Sequence, residues 1–392
     1  MSATTVATPL AAEKASDAPL MEVTVDRSQL LAEVMAAARV TDGKSTQPLL
    51  SHLLLRATGG GLLSITGSDL KRTMTTECPA AIKTFGEATV SAQKLLAYLK
   101  LLPAGNVSIK LLSNHQLLIT AGRSRTRMPG LAPNSYPASP SIAIAPLRLS
   151  CRGLKTLIRQ SLFAVASSED RYLFNAALLL LRQDRMGMVA TDGRRLSLVE
   201  VQEDSLAIEG FKKVLLSRES MSDLLSLFNS GKDESVDFSE DESNFFFQIG
   251  PRILTVRKLI GQFPNYEAIL PRDAMNSVVL GTSELLSSLQ RILEFSDERS
   301  SAVKLHLDKN TLTVSASAAD RGESEEILPL SYTADAVTIG FNGHFLVEFL
   351  KTIGGDGEVR LALKDGKSAA VITPEAFNPE YHQKYVVMPM RI

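Results

Sequence analysis

The side chains best able to do chemistry in this sequence do not converge on one another. Gly43-Lys44-Ser45-Thr46 has the closing residues of a phosphate-cradling loop. Such a loop needs a glycine five residues before Gly43, and that position is Ala38; it must also follow a strand, whereas the preceding segment has a helical pattern. The five histidines are scattered, without an HExxH pair or any other ligand spacing, and no GxSxG nucleophile turn is present. Cys78 and Cys151 form no CxxC pair, which suits a reducing cytoplasm. Asp69, Asp192 and Asp320 each follow an apolar strand. Aspartate there commonly bonds its own backbone in a turn, and three separate units cannot bring these carboxylates to one ion. No catalytic set, cofactor or metal site is expected, so the chain does not read as an enzyme.

Regularly spaced charge is what the sequence does offer. Arg152, Lys155 and Arg159 stand at i, i+3 and i+7, opposite the apolar face of Leu154, Leu157 and Ile158. Lys94 and Lys100 add positive charge to another helix. Arg123, Arg125 and Arg127 alternate with period two, as do Glu323 and Glu325, giving two strand faces of opposite sign. The bland alternative is a set of solvated surfaces. The C-terminal stretch Val386, Val387, Met388, Pro389, Met390 is apolar, and an apolar terminus normally packs against something.

The elements that position these residues repeat three times. Asp26, Ser150 and Thr282 each open an amphipathic segment, and Ser91, Ser217 and Asn342 each open a second one 65, 67 and 60 residues later. Between the two helices of every unit lies an apolar hairpin: Leu53–Ala57 with Leu62–Thr66, Ala177–Leu181 with Gly187–Thr191, and Val303–Leu307 with Thr311–Ser315. The first helix of the middle unit is expected to run over 150–166, with Leu162 and Val165 on its apolar face. Residues 21–392 number 372, three times 124, too long a period for a solenoid. The expectation is an α+β chain of three similar domains, 21–146, 147–270 and 271–392, each a β-sheet plus two helices, behind a disordered tail over 1–20.

With 44% hydrophobic and 22% charged residues, the composition is that of an ordinary globular protein. No apolar run approaches the roughly 18 residues of a membrane helix. A formal net charge of −1 argues against a protein that grips nucleic acid by bulk positive charge, though not against one with a local basic surface.

Specific strings mark these units. They include Gln47–Leu55 (QPLLSHLLL), Ala121–Met128 (AGRSRTRM), Glu169–Leu181 (EDRYLFNAALLLL), Val189–Glu200 (VATDGRRLSLVE), Gly261–Pro271 (GQFPNYEAILP) and Tyr385–Ile392 (YVVMPMRI). In this order and spacing they resemble the bacterial DNA sliding clamps, the beta subunits of DNA polymerase III, over essentially all of 21–392. The resemblance implies a head-to-tail homodimer, a six-domain ring of DNA-clamp fold lined by helices, that encircles duplex DNA and slides without sequence preference. Topology then replaces binding energy. By resemblance, the DNA-facing residues are Lys44, Lys94, Lys100, Arg152, Lys155, Arg159, Arg171 and Tyr172. The dimer interface takes Arg123, Arg125, Arg127 and Met128 from one copy and Phe295, Glu323 and Glu325 from the other. A partner-peptide groove takes Arg171, Phe174, Thr191, Gly193, Arg195, Leu196, Pro264, Ile269, Val386, Val387, Met388, Pro389, Met390 and Arg391. Through short linear motifs it would dock the replicative polymerase, the clamp loader, repair polymerases and mismatch-repair proteins. Thr126 and Leu173 stand where the family commonly has aromatics, and Ala268 where it has a basic residue. The alternative is a clamp paralogue with altered partner preference.

Overall fold

The computed structural model describes residues 18–140, 146–166, 175–203, 206, 208, 210–228, 234–271, 276–355, 357–376 and 380–391. The expected tail over 1–20 lies, apart from 18–20, outside the described residues; the first strand begins at Met21.

Among the described residues, six α-helices form three pairs. They are α1 (Arg27–Ala38), α2 (Ala92–Leu101), α3 (Cys151–Arg159), α4 (Arg218–Phe228), α5 (Thr282–Leu293) and α6 (Gly343–Ile353). α1 packs on α2, α3 on α4 and α5 on α6. Four of the starts carry the expected side-chain cap: Asp26 accepts from the Ser28 and Gln29 amides, Ser150 from Gly153, Ser217 from Ser220 and Asn342 from His344. Thr282 does not cap α5. Gly281 holds the cap position, and Thr282 is already the first helical residue, fully buried. α3 stops at Arg159, short of the expected 166. The Ser161 hydroxyl takes the Leu157 carbonyl at 2.6 Å, and the chain continues as a short 3-10 turn, Leu162–Ala164. Met35 of α1 is 48% exposed.

The elements gather into two compact units, residues 1–142 with 250–257, and 143–249 with 258–392. In the first, a five-stranded sheet has the order Ala81–Thr84, Met21–Asp26, Asn106–Leu111, Gln116–Ala121, Ser124–Pro129. A second run of strands has the order Arg252–Arg257, Arg72–Pro79, Leu62–Ser68, His52–Ala57, Gly86–Ser91. Arg252 is remote in sequence but belongs here. It grips the buried Glu33 of α1 through two bonds of 2.8 Å, and Thr76 donates its hydroxyl to the same carboxylate.

In the second unit, eight antiparallel strands run Lys212–Ser217, Ala176–Leu181, Arg185–Thr191, Arg195–Gln202, His382–Val387, Ala370–Pro374, Glu358–Leu363, Asn276–Gly281. The middle and last repeats are joined within this sheet, where Arg195–Gln202 pairs with His382–Val387. The buried Gln383 amide strengthens that seam by donating to the Gln160 carbonyl at 2.9 Å and the Ser197 hydroxyl at 3.2 Å. A four-stranded sheet completes the last repeat, in the order Gly322–Pro329, Thr311–Ala318, Ala302–Asp308, Val337–Asn342. Its core is α5 and α6 packed on Leu305, Val314, Phe341 and Tyr385.

Cys78 and Cys151 are both buried, and neither forms a disulfide. Burial first, and then the nearby Glu33 charge, push the Cys78 thiol up to about 12. At pH 8 only about one molecule in ten thousand then carries the reactive thiolate at this position. In the native protein Cys78 is expected to resist a disulfide-exchange reagent such as DTNB and to react once denaturant opens the first unit. Rapid labelling of native Cys78 would contradict its burial.

Candidate functional site

The hairpin Arg185–Thr191 to Arg195–Gln202 pairs with the terminal strand His382–Val387 and brings together several of the residues expected in the groove. Along the terminal strand successive side chains point to opposite faces. Tyr385 and Val387 enter the α5/α6 core, whereas Val386 faces the other way. Val387, expected in the groove, is therefore a core residue on the far face of the sheet. Val386 joins Leu178, Leu180, Val189 and Leu196 in a buried apolar floor, over which Phe263, Tyr266, Ile269 and Leu270 are partly buried. Pro264 lies half-buried in the same loop.

The rim is a tight turn. Asp192 accepts from the amides of Arg194 and Arg195 at 2.9 and 3.1 Å. Gly193 adopts φ +85°, a conformation glycine adopts without steric cost. The buried Thr191 hydroxyl donates to the Arg195 carbonyl at 2.6 Å and accepts from the Gly193 amide. The Met388 amide then donates to the Arg194 carbonyl at 2.9 Å, which sets the half-exposed Met388 beside the turn. Met390 bonds the Gly340 carbonyl at 2.7 Å; Pro389 is half-buried and Arg391 exposed.

Arg195, expected in the groove, is only 8% exposed, and its guanidinium is already engaged. Nε donates to Asp192 at 3.0 Å, one Nη to Glu348 of α6, and the other to the Phe163 carbonyl at 2.6 Å. It also lies over the Phe345 ring at 4.3 Å. Burial opposes its charge, yet Tyr385, Glu348 and Asp192 outweigh burial and hold its pKa above the ordinary arginine value.

The Gly261–Glu267 loop, including Pro264, lines a cleft of about 810 Å3. It shares Leu178, Leu215, Phe263 and Tyr266 with the apolar floor and adds Lys213, Lys258 and Phe245. Glu240 sits between Lys212 and Lys258; burial works against its charge, but the two ammonium groups keep its carboxyl below the usual range. A signal was present in Ala176–Leu181, AALLLL. A strand apolar on both faces must be covered on both, and all six residues are buried.

The basic stripe lies on α3. Arg152 and Arg159 are exposed, Lys155 is half-buried, and Arg152 pairs with Glu380. Lys94 and Lys100 are exposed on α2, and Lys44 is exposed in a loop where its amide bonds Asp42. Arg171, Tyr172 and Phe174, with Leu173, lie outside the described residues.

Arg125 and Arg127 are exposed on Ser124–Pro129, an edge of the five-stranded sheet, while Met128 alternates inward. Arg123 is exposed in the turn before that strand, outside the strand on which it was expected. Thr126 donates to the Tyr98 hydroxyl of α2 at 2.9 Å. Glu323 and Glu325 are exposed on Gly322–Pro329, an edge of the four-stranded sheet, with Phe295 at 37% exposure in the same unit. Ile327, at 62% exposure, extends that outward face and was not anticipated.

Asp69 and Asp192 make the expected turns, each binding the arginine three residues later. Among the described residues no three or more His, Cys, Asp or Glu side chains gather to hold a metal, and no helix is long and apolar enough to cross a membrane.

Residues 21–140, 148–265 and 267–391 match the sequence profiles of the N-terminal, central and C-terminal domains of the DNA polymerase III beta subunit. The beta sliding clamp of Pseudomonas putida is 30% identical, aligning 95% of this chain with the whole of that protein. Among solved structures, the DNA polymerase III subunit beta of Pseudomonas aeruginosa superposes with a TM-score of 0.87 at 30% identity, covering 95% of this chain and 100% of the other. The Bartonella birtlesii sliding clamp bound to griselimycin gives 0.88 at 27% identity, with the same coverage.

Proposed function

The chain belongs to the DNA polymerase III beta subunit family, and from that premise we propose how its own residues serve a DNA polymerase processivity factor. It is a sliding clamp, a non-catalytic tether rather than an enzyme. Two copies close a ring in the cytoplasm through the Arg125/Arg127 edge of one and the Glu323/Glu325 edge of the other. The stripe on α3, with Lys44, Lys94 and Lys100, holds phosphates loosely and without reading bases. Such contacts supply no sequence preference, so the ring moves along the duplex while topology keeps it there.

The groove over Leu196 and Val386 receives short linear motifs of the polymerase, the clamp loader and repair proteins. The observation that carries this reading is the half-exposed Met388, held to a fixed turn through the Arg194 carbonyl and two residues beyond Val386 of the buried apolar floor. A methionine rim adapts to several peptides without a change of backbone. The paralogue alternative gains no support, because the relatives named above are beta sliding clamps and polymerase III beta subunits.

Met388→Ala tests the docking reading. Its 42% exposure makes the change mild for folding, while removal of an anchoring side chain from a peptide site costs about 1–2 kcal/mol of binding. Anisotropy of a fluorescein-labelled clamp-binding peptide from the host's replicative polymerase is expected to show roughly tenfold weaker binding. Unchanged affinity would place the peptide elsewhere.

A further inference from the structure

We propose that Glu348 on α6, acting through Arg195, is a positioning residue that fixes the rim of the partner groove. This rests on the docking reading above, but names a residue outside the groove that sets its shape. Arg195 of the rim turn reaches α6 by a buried guanidinium whose three nitrogens serve three elements. They are the turn at Asp192, the helix at Glu348 and the 3-10 segment at the Phe163 carbonyl. The planar fork suits three simultaneous bonds in a way an ammonium does not.

The path to the peptide is short. Asp192 also carries the amides of Arg194 and Arg195, and the Arg194 carbonyl holds the Met388 amide. Arg195 is in register with Val387, immediately before Met388. A shift of the guanidinium therefore moves both sides of the rim together. The first repeat makes the same turn, with Asp69 accepting from the Lys71 and Arg72 amides and the Arg72 Nε. The turn is thus a property of the repeat, and the link to Glu348 ties it to the neighbouring repeat of the same unit. Glu348 itself is 46% exposed at its side chain, so it contributes to position more than to stability.

Glu348→Ala and Glu348→Gln test the proposal in the full-length chain, read three ways: anisotropy of labelled griselimycin and of the labelled polymerase peptide, the 13C-methyl resonance of Met388 in the peptide-free protein, and thermal unfolding. E348A is expected to weaken binding on the order of tenfold and to move or broaden the Met388 methyl signal. E348Q, which keeps an acceptor oxygen for Arg195, is expected to recover most of both. Neither is expected to shift Tm by more than about 3 °C. An unmoved Met388 signal with parental affinity in E348A overturns the proposal. So does an affinity loss that E348Q does not relieve and that tracks Tm. A parent chain that binds neither probe overturns the docking reading instead, and the Met388 signal still decides whether Glu348 sets the rim.

Discussion

Replacing Arg125 and Arg127 together by glutamate is expected to turn the dimer into a monomer, and adding Glu323→Arg and Glu325→Arg to restore it. Both strands concerned are sheet edges, with rows of backbone N–H and C=O groups turned outward. The opposite edge of the four-stranded sheet, Val337–Asn342, is partly covered by the bridge between Gly340 and Met390, so Gly322–Pro329 is the edge left for pairing. Its exposed side chains, Glu323, Glu325 and Ile327, alternate on one face, as Arg125 and Arg127 do on theirs. Like charges brought together at an interface cost several kcal/mol. Two such clashes are expected to weaken association by about a thousandfold or more. Sedimentation velocity across a protein dilution series measures this. A double variant that stays dimeric at the parental concentration, or a quadruple variant that stays monomeric, would contradict the pairing. Arg291 and Glu326 are joined within one chain by bonds of 2.6 and 2.7 Å, so Glu326 should be left unchanged in this experiment.

The second large effect is expected at Glu33. Its carboxylate and the Arg252 guanidinium are each nearly excluded from water, at 11% and 12% side-chain exposure. Removing one partner of a buried ion pair leaves the other charge uncompensated, and Glu33→Ala is expected to destabilise the first unit by about 3–5 kcal/mol. Replacing both partners by apolar residues of similar volume, Glu33→Leu with Arg252→Met, should cost much less, because no charge remains buried. Urea unfolding followed by circular dichroism would separate the cases. A single variant within about 1 kcal/mol of the parent would mean that water reaches Arg252 easily.

The helices were legible because each carries an apolar face at 3.6-residue spacing, and all six appear. Their limits were less so. Leu162 and Val165 continue the period of α3, but the Ser161 hydroxyl diverts a backbone carbonyl and the helix ends. Period alone cannot detect that competition. Strand faces were legible only where apolar and polar residues alternate. The run Tyr385-Val386-Val387 is apolar throughout, so the choice of groove face needed the registry with Arg195–Gln202. The same uniformity in Ala176–Leu181 hid the floor that Leu178 and Leu180 provide. Arg252 and Glu348 were invisible because their partners are distant in sequence, and no local pattern marks a side chain that reaches 219 or 153 residues away. Arg195 was singled out from the resemblance, yet its burial follows from what surrounds it: the rings of Phe163 and Phe345 and the carboxylate of Glu348.

The central claim is that retention on DNA is topological. The most direct test is to load the protein onto nicked circular duplex DNA with a clamp loader and ATP, isolate the complex, and then cut the circle once. The ring reading predicts that the protein stays on the closed circle through a high-salt wash and is lost when the circle is linearised. Retention that ignores the cut, or dissociation from the intact circle in salt, would mean that charge and not closure holds it, and would contradict the account.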